Sequence, residues 1–204
     1  MNRTLPLVMA IALLAMPGGL GAQLQSMPSG GGGGRMLCGA CTAPRDIPSV
    51  ATIAPSGEPG ERMVISGRIL KADGKSAAPG ITLFLYHTDS KGHYNAQDDP
   101  FQPRLHGWVR TGADGRYEIR SIRPAPYPNH RIPSHIHVHV FGPGLSERSI
   151  PEFNFQDDPF LSAEQRALPS RLGSFSPVVV LKRGSDGVWR GTRDIRLGAS
   201  EGHE

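Results

Sequence analysis

The chain has 204 residues with 26 glycines, 19 prolines, two cysteines and a formal charge of +4. Less a signal and a linker, that is one domain with a core of ordinary size. The modest charge, with no lysine–arginine cluster interleaved with aromatics, argues against nucleic acid as a partner. Mild basicity still suits anionic aromatic acids. No internal repeat, phosphate-cradling glycine loop or serine nucleophile elbow gives another enzyme class a foothold.

In chain order, residues 1–22 come first. Arg3 precedes an apolar run from Leu5 to Met16, followed by Pro17, Gly18, Gly19 and Ala22, the layout of a secretory signal peptide. The run is shorter than the ~20 residues a membrane-spanning helix needs, and no second run follows. The expectation is an exported protein, periplasmic or extracellular, with no membrane attachment after signal cleavage. An uncleaved anchor is the alternative.

Residues 23–60 read as a lead-in. Ser26–Gly34, SMPSGGGGG, is a flexible spacer that cannot pack a core. Cys38 and Cys41 follow. Two thiolates cannot complete a structural zinc site, and an exported chain meets an oxidising compartment, so a local disulfide is expected. No thioredoxin-like βαβ pattern supports redox chemistry at this pair.

From Glu61 to Leu197 the pattern is that of strands. ERMVISGRIL, ITLFLYHT, GRYEIRSI, HIHVHVF, SPVVVLK and GVWRGTRDIRL are short, alternating or rich in β-branched residues. Asp73-Gly74, Asp114-Gly115 and Asp186-Gly187 mark turns, because glycine supplies the positive φ they need. The fold class is therefore all-β, a single-domain sandwich with little helix. One helical segment is expected over Ser162–Leu168, where Ser162 and Gln165 form a capping box. Residues 198–204 read as a tail.

The stretch that carries chemistry is Pro124–Phe141, PAPYPNHRIPSHIHVHVF. In a strand, His135, His137 and His139 share one face, and Ile136, Val138 and Val140 the other. One histidine so placed is most often a half-buried surface residue. Three in register, eight residues after Tyr127, point to metal ligands, although imidazole suits zinc, copper, iron and nickel alike. His139 is either a partner of those ligands or a satisfied core histidine, and the second reading is preferred. His87, His106 and His130 read as surface or turn residues. His93 adjoins Tyr94 and faces the pocket in this reading. Tyr86 and Tyr117 are expected to fill the core or its edge.

This stretch resembles the intradiol ring-cleavage dioxygenases, whose non-haem ferric iron is held by two tyrosines and two histidines. PxPYP at Pro124–Pro128 and PxHIH at Pro133–His137 carry the likeness, with YHTDSKGHYN at Tyr86–Asn95 upstream. It extends from about Cys38 to Pro159. The resemblance implies a β-sandwich of that type with Fe(III) on Tyr94, Tyr127, His135 and His137, and a catechol-type substrate with O2 as partners. Tyr127 would be the ligand that leaves and takes a proton, with His137 opposite it. The ring would open between its hydroxylated carbons to a muconate-type diacid. Tyrosinates are hard anionic donors that favour ferric iron, which can draw electron density from a catecholate and so let singlet substrate meet triplet oxygen.

Family pocket positions correspond more loosely. Many members carry arginine where this chain has Ile132. Arg131 stands one residue earlier, an offset that turns a side chain to the other face of an extended segment. Matching FQDDP, Phe155–Pro159, to a family segment places Glu152 as a polar pocket group. His93 joins Arg131, Ile132 and Glu152 as pocket candidates, and the outer wall is assigned to loops Ala96–His106 and Gly144–Pro151. Two other classes stay open: a non-catalytic extracellular β-sandwich module, and a zinc or copper protein using His135, His137 and His139 without the tyrosines. Oligomeric state is not legible.

Overall fold

A computed structural model gives the fold of residues 37–198. The expected signal peptide, the glycine spacer and the end of the tail lie outside the described residues. Among the described residues no helix is long and apolar enough to cross a membrane.

The elements in chain order are β1 (Val50–Thr52), β2 (Arg62–Leu70), β3 (Thr82–His87), β4 (Leu105–Arg110), β5 (Arg116–Ile122), β6 (His135–Gly142) and β7 (Leu145–Phe155). Then come α1 (Ala163–Leu172), β8 (Val178–Val179), β9 (Lys182–Arg183), β10 (Trp189–Thr192) and β11 (Ile195–Arg196). One sheet runs β1-β5-β2-β10-β9 with β11 also on β2, and the other runs β4-β3-β6-β7-β8. The alternation read from the sequence becomes the inner faces. Met63, Ile65 and Ile69 of β2 and Tyr117 and Ile119 of β5 meet Leu83 and Leu85 of β3, Ile136, Val138 and Val140 of β6, and Phe153 and Phe155 of β7. Each large apolar side chain so buried contributes about 1.5–3 kcal/mol. The sandwich is as expected, and so is the capping box, with Gln165 N–H donating to Ser162 Oγ over 3.1 Å and Ser162 N–H to Gln165 Oε1 over 2.9 Å. The helix runs on through Pro169 to Leu172.

Several expectations need correction. Gly144–Pro151 is not a loop, because β7 begins at Leu145 and pairs with β6. Its sequence, LSERSIPEFNF, hides this: most of the strand is only half-buried, and Pro151 reads as a strand breaker. β4 was likewise obscured by His106 and Gly107. The sheet also starts before Glu61, since β1 pairs parallel to β5 (Val50↔Glu118) and Ala51, Ile53 and Ala54 are buried. Three residues are too few to show a period. His87 is no surface residue: it is fully buried, because it continues the inward row of Leu83 and Leu85.

Candidate metal centre

Two loops and one strand build the centre. The β3–β4 loop carries Tyr94. Asp89 shapes it, its Oδ1 accepting from the N–H groups of Lys91 (2.8 Å) and His93 (3.0 Å). The Asp89 carbonyl accepts from Ala125 N–H at 3.0 Å, which ties this loop to the one bearing Tyr127. Gly92, at φ 88°, lets the two loops touch, since a Cβ there would collide with the Pro126 carbonyl oxygen. From outside, Arg104 grips buried Glu58 with two bonds of 2.5 and 2.8 Å. That guanidinium holds the Glu58 carboxyl below its ordinary range.

The strand end is anchored separately. Ser134 donates its N–H (2.9 Å) and its hydroxyl (2.7 Å) to the buried Asp158 carboxylate. Arg166 of α1 holds the Asp158 carbonyl at 2.6 Å. His135 and His137 then follow on the outer face of β6, opposite the core-facing Ile136.

The four residues named from the resemblance come together. Tyr94 and Tyr127 hydroxyls are in hydrogen-bond contact. His137 Nε2 lies 2.8 Å from the Tyr94 hydroxyl and 3.3 Å from that of Tyr127, and His135 Nε2 lies 3.0 Å from Tyr127. The two Nε2 atoms are 3.1 Å apart. Each imidazole has its other nitrogen occupied: His135 Nδ1–H donates to the Pro133 carbonyl at 2.7 Å, and His137 Nδ1 is 2.8 Å from Glu152 Oε1. Both Nε2 lone pairs therefore face the phenols.

Electrostatics decide what such a cluster accepts. Burial pushes the Tyr94 phenol well above its usual range, and the hydrogen bond with Tyr127 adds to the shift. Burial also raises Tyr127, against an opposing pull from Tyr94, and lowers His135, keeping that imidazole neutral. Two phenol oxygens and two imidazole Nε2 atoms on one point suit a hard, highly charged cation, beside which both phenols ionise. The donor set fits ferric iron. Among the described residues the His135, His137 and Glu152 donor atoms also lie within 4.8 Å of one another.

A family model described as Dioxygenase matches residues 41–171. The chain is 33% identical over 131 residues to the protocatechuate 3,4-dioxygenase beta chain of Burkholderia cepacia, covering 58% of this chain and 55% of that one. The chain belongs to the intradiol dioxygenase family. A second relative in the family, a catechol 1,2-dioxygenase of Acinetobacter lwoffii, is 31% identical over 123 residues, 51% of this chain and 43% of its own length. This chain thus spans about half the length of the curated intradiol dioxygenases it matches. Among solved structures, the dioxygenase domain of a dioxygenase carbohydrate-binding protein fusion from Streptomyces sp. SirexAA-E superimposes with a TM-score of 0.54 at 25% identity. The match covers 76% of this chain and 90% of that domain. The 3-chlorocatechol 1,2-dioxygenase of Rhodococcus opacus shares the fold, with a TM-score of 0.56 at 15% identity over 75% of this chain and 67% of its own.

The pocket candidates divide. A cleft of about 560 Å³ opens over Tyr94 and Tyr127, lined also by His93, Asp98, Pro100 and His130. His93 is in its wall, its Nδ1 2.7 Å from Asp98 Oδ2. Arg131 is not: it is exposed and its guanidinium lies over the Phe160 ring, 5.7 Å from the centroid. Ile132 is 44% exposed and does not line the cleft. Glu152 stands behind His137 rather than in the cleft wall. His139 does not join the metal cluster. Its Nδ1 is 2.9 Å from Glu147 Oε1 and its Nε2 3.4 Å from Ser149 Oγ, so a three-histidine site is not what the strand builds. His130, read from sequence as a surface or turn residue, is exposed and meets the Tyr127 ring edge-on at 6.3 Å. Tyr86 stacks on His137, centroids 4.5 Å apart and planes 18° apart. Its alternation signalled a strand residue, but nothing local signalled that contact.

Proposed function

We propose that the protein is an exported, non-haem Fe(III)-dependent intradiol dioxygenase. It opens a catechol-type ring between its hydroxylated carbons to a muconate-type diacid. The observation that carries this reading is the convergence of the Tyr94, Tyr127, His135 and His137 donor atoms beneath an open cleft. Tyr94, His135 and His137 would hold the metal. Tyr127 would complete the set; it lies on the 123–134 segment, which has no regular secondary structure, and is less buried than Tyr94, so its phenol is the one with room to move. Its phenolate oxygen takes a proton from an incoming catechol hydroxyl, and His130 and the cleft wall receive the ring. Bound there, ferric iron would supply an electron-accepting centre that lowers the spin barrier between a catecholate and O2. O2 is the oxidant: the ring C–C bond breaks and both oxygen atoms end in the product, so no further reductant is consumed.

Export rests on the residues 1–22 pattern. It agrees with the Cys38–Cys41 disulfide, which an oxidising compartment preserves. N-terminal sequencing of protein from the culture fluid or periplasm tests it; a cytoplasmic chain retaining Met1 would refute it.

The visible absorption spectrum of the iron-loaded protein, before and after anaerobic addition of catechol, tests the activity. A broad tyrosinate-to-iron band that shifts with catechol and fades in Tyr94→Phe and Tyr127→Phe is expected. A colourless protein with bound zinc, unaffected by either substitution, would move the assignment to a divalent site on His135, His137 and Glu152.

A further inference from the structure

We propose that Glu152 is a positioning residue that supplies the third negative charge of the metal centre and so tunes it to a trivalent ion; this rests on the function proposed above. The observation is a break in the β6–β7 ladder. Ile136 pairs with Phe153, but Val138 pairs with Ile150, so Pro151 and Glu152 together stand against His137 alone. Such a bulge adds one residue to one strand and re-aims its side chains. Pro151, with no N–H to give the ladder, suits that place. Phe153 is buried, so alternation turns its neighbour Glu152 to the outer face, and the extra residue, taken up at Pro151, lets Ile150 pack inward opposite Val138 as well. Glu152 therefore lies on the outer face beside His137, Oε1 2.8 Å from Nδ1 and 3.8 Å from His135 Nε2.

The two imidazoles are thereby made unequal. His135 donates its Nδ1–H to a neutral backbone carbonyl, whereas His137 donates to a carboxylate. A carboxylate behind a ligating histidine fixes its ring and strengthens its electron donation. It also completes the charge balance. Two phenolates and one carboxylate amount to −3, against +3 for ferric iron and +2 for ferrous iron or zinc. Removing the Glu152 charge should therefore cost Fe(III) more than Fe(II) or Zn(II). The Glu152 side chain is 41% exposed, so its substitution leaves the core intact.

The test compares the full chain with Glu152→Gln and Glu152→Ala, reading Fe(III) and Zn(II) affinities and the Fe(III)/Fe(II) midpoint potential. The glutamine amide oxygen still accepts from Nδ1–H, so this variant should keep the ring in place while losing the charge. Its affinity for Fe(III) should fall about tenfold more than for Fe(II), a positive midpoint shift of about 59 mV. The alanine variant should lose both contributions, weakening both metals by about 10–100-fold, Fe(III) the more. In the metal-free protein, the His137 Nδ1–H resonance should be present in wild type and glutamine and lost in alanine. A glutamine variant with the wild-type midpoint and Fe(III)-to-Zn(II) ratio would overturn the proposal. So would equal loss of both metals in both variants, which would make Glu152 a direct ligand. If wild type shows no tyrosinate-to-iron band, the function proposed above fails and takes the charge argument with it, and the imidazole resonance would report that failure separately from the hydrogen bond.

Discussion

His137 and His139 lie two residues apart on one face of β6, and each has its Nδ1 against a carboxylate of β7, at 2.8 Å from Glu152 and 2.9 Å from Glu147. Their surroundings differ on the other side of the ring. Two tyrosine-bearing loops reach His137 Nε2, whereas His139 Nε2 lies 3.4 Å from Ser149 Oγ, with neither tyrosine against it. Glu147 spends its remaining capacity on the disulfide loop, accepting from Gly39 N–H (2.8 Å) and Ala40 N–H (2.9 Å). Gly39 sits flat on Phe84, where a Cβ would collide with the ring. A histidine–carboxylate pair is thus not a metal site in itself. On the function proposed above, the same pair holds a ligand in one place and docks a loop in the other, according to what reaches the free nitrogen.

The largest effect that tests this contrast is removal of each ring. His137→Ala should weaken iron binding about 100-fold or more and abolish the visible band, since a donor is lost outright. His139→Ala should leave iron content unchanged by metal analysis and lower only the melting temperature. Equal metal loss in both would erase the distinction.

His87 offers a third environment, fully buried, with a carbonyl and a hydroxyl on its two ring nitrogens. Its Nδ1–H donates to the Thr88 carbonyl at 2.6 Å and its Nε2 accepts from Ser121 Oγ at 2.7 Å. Burial lowers its pKa from 6.5 to about 4. The unfolded chain therefore takes up the proton first as pH falls. Stability from the neutral ring is complete above pH 6.5 and declines down to about pH 4, by on the order of 3 kcal/mol. Urea denaturation between pH 7 and 4 should show this slope, and His87→Gln should flatten it. An unchanged slope in the variant would assign the acid sensitivity elsewhere.

Glu147→Ala should act on stability alone. It strips partners from two backbone N–H groups and one imidazole, a cost of about 2 kcal/mol in urea denaturation, with iron content unchanged. Iron loss in this variant would show that the disulfide loop and the metal centre are coupled. The smallest change is expected from Tyr86→Leu. Losing the stack on His137 removes about 0.5–1.5 kcal/mol and should shift the tyrosinate-to-iron band slightly without emptying the site.

Much of this molecule is written locally. The alternation in MVISGRI, TLFLYH and HIHVHV is enough to specify strands and which side of each is buried, because side-chain direction in a strand depends only on parity. The Cys38–Cys41 pair, the Ser162–Gln165 cap and the tyrosine and histidine motifs are likewise short-range, and the structure joins each as expected. What needed the tertiary structure is everything that depends on a partner strand. β7 is held by pairing to β6 despite a polar, proline-broken sequence, and β1 by pairing to β5 with only three residues. His87 is inside because the opposite sheet covers it. Glu152 meets His137 because β7 pairs with β6 through Phe153 and Ile136, and the two histidines of HVH part company because different loops arrive above them. Register and loop docking are relations between distant segments, so no local pattern of residues encodes them.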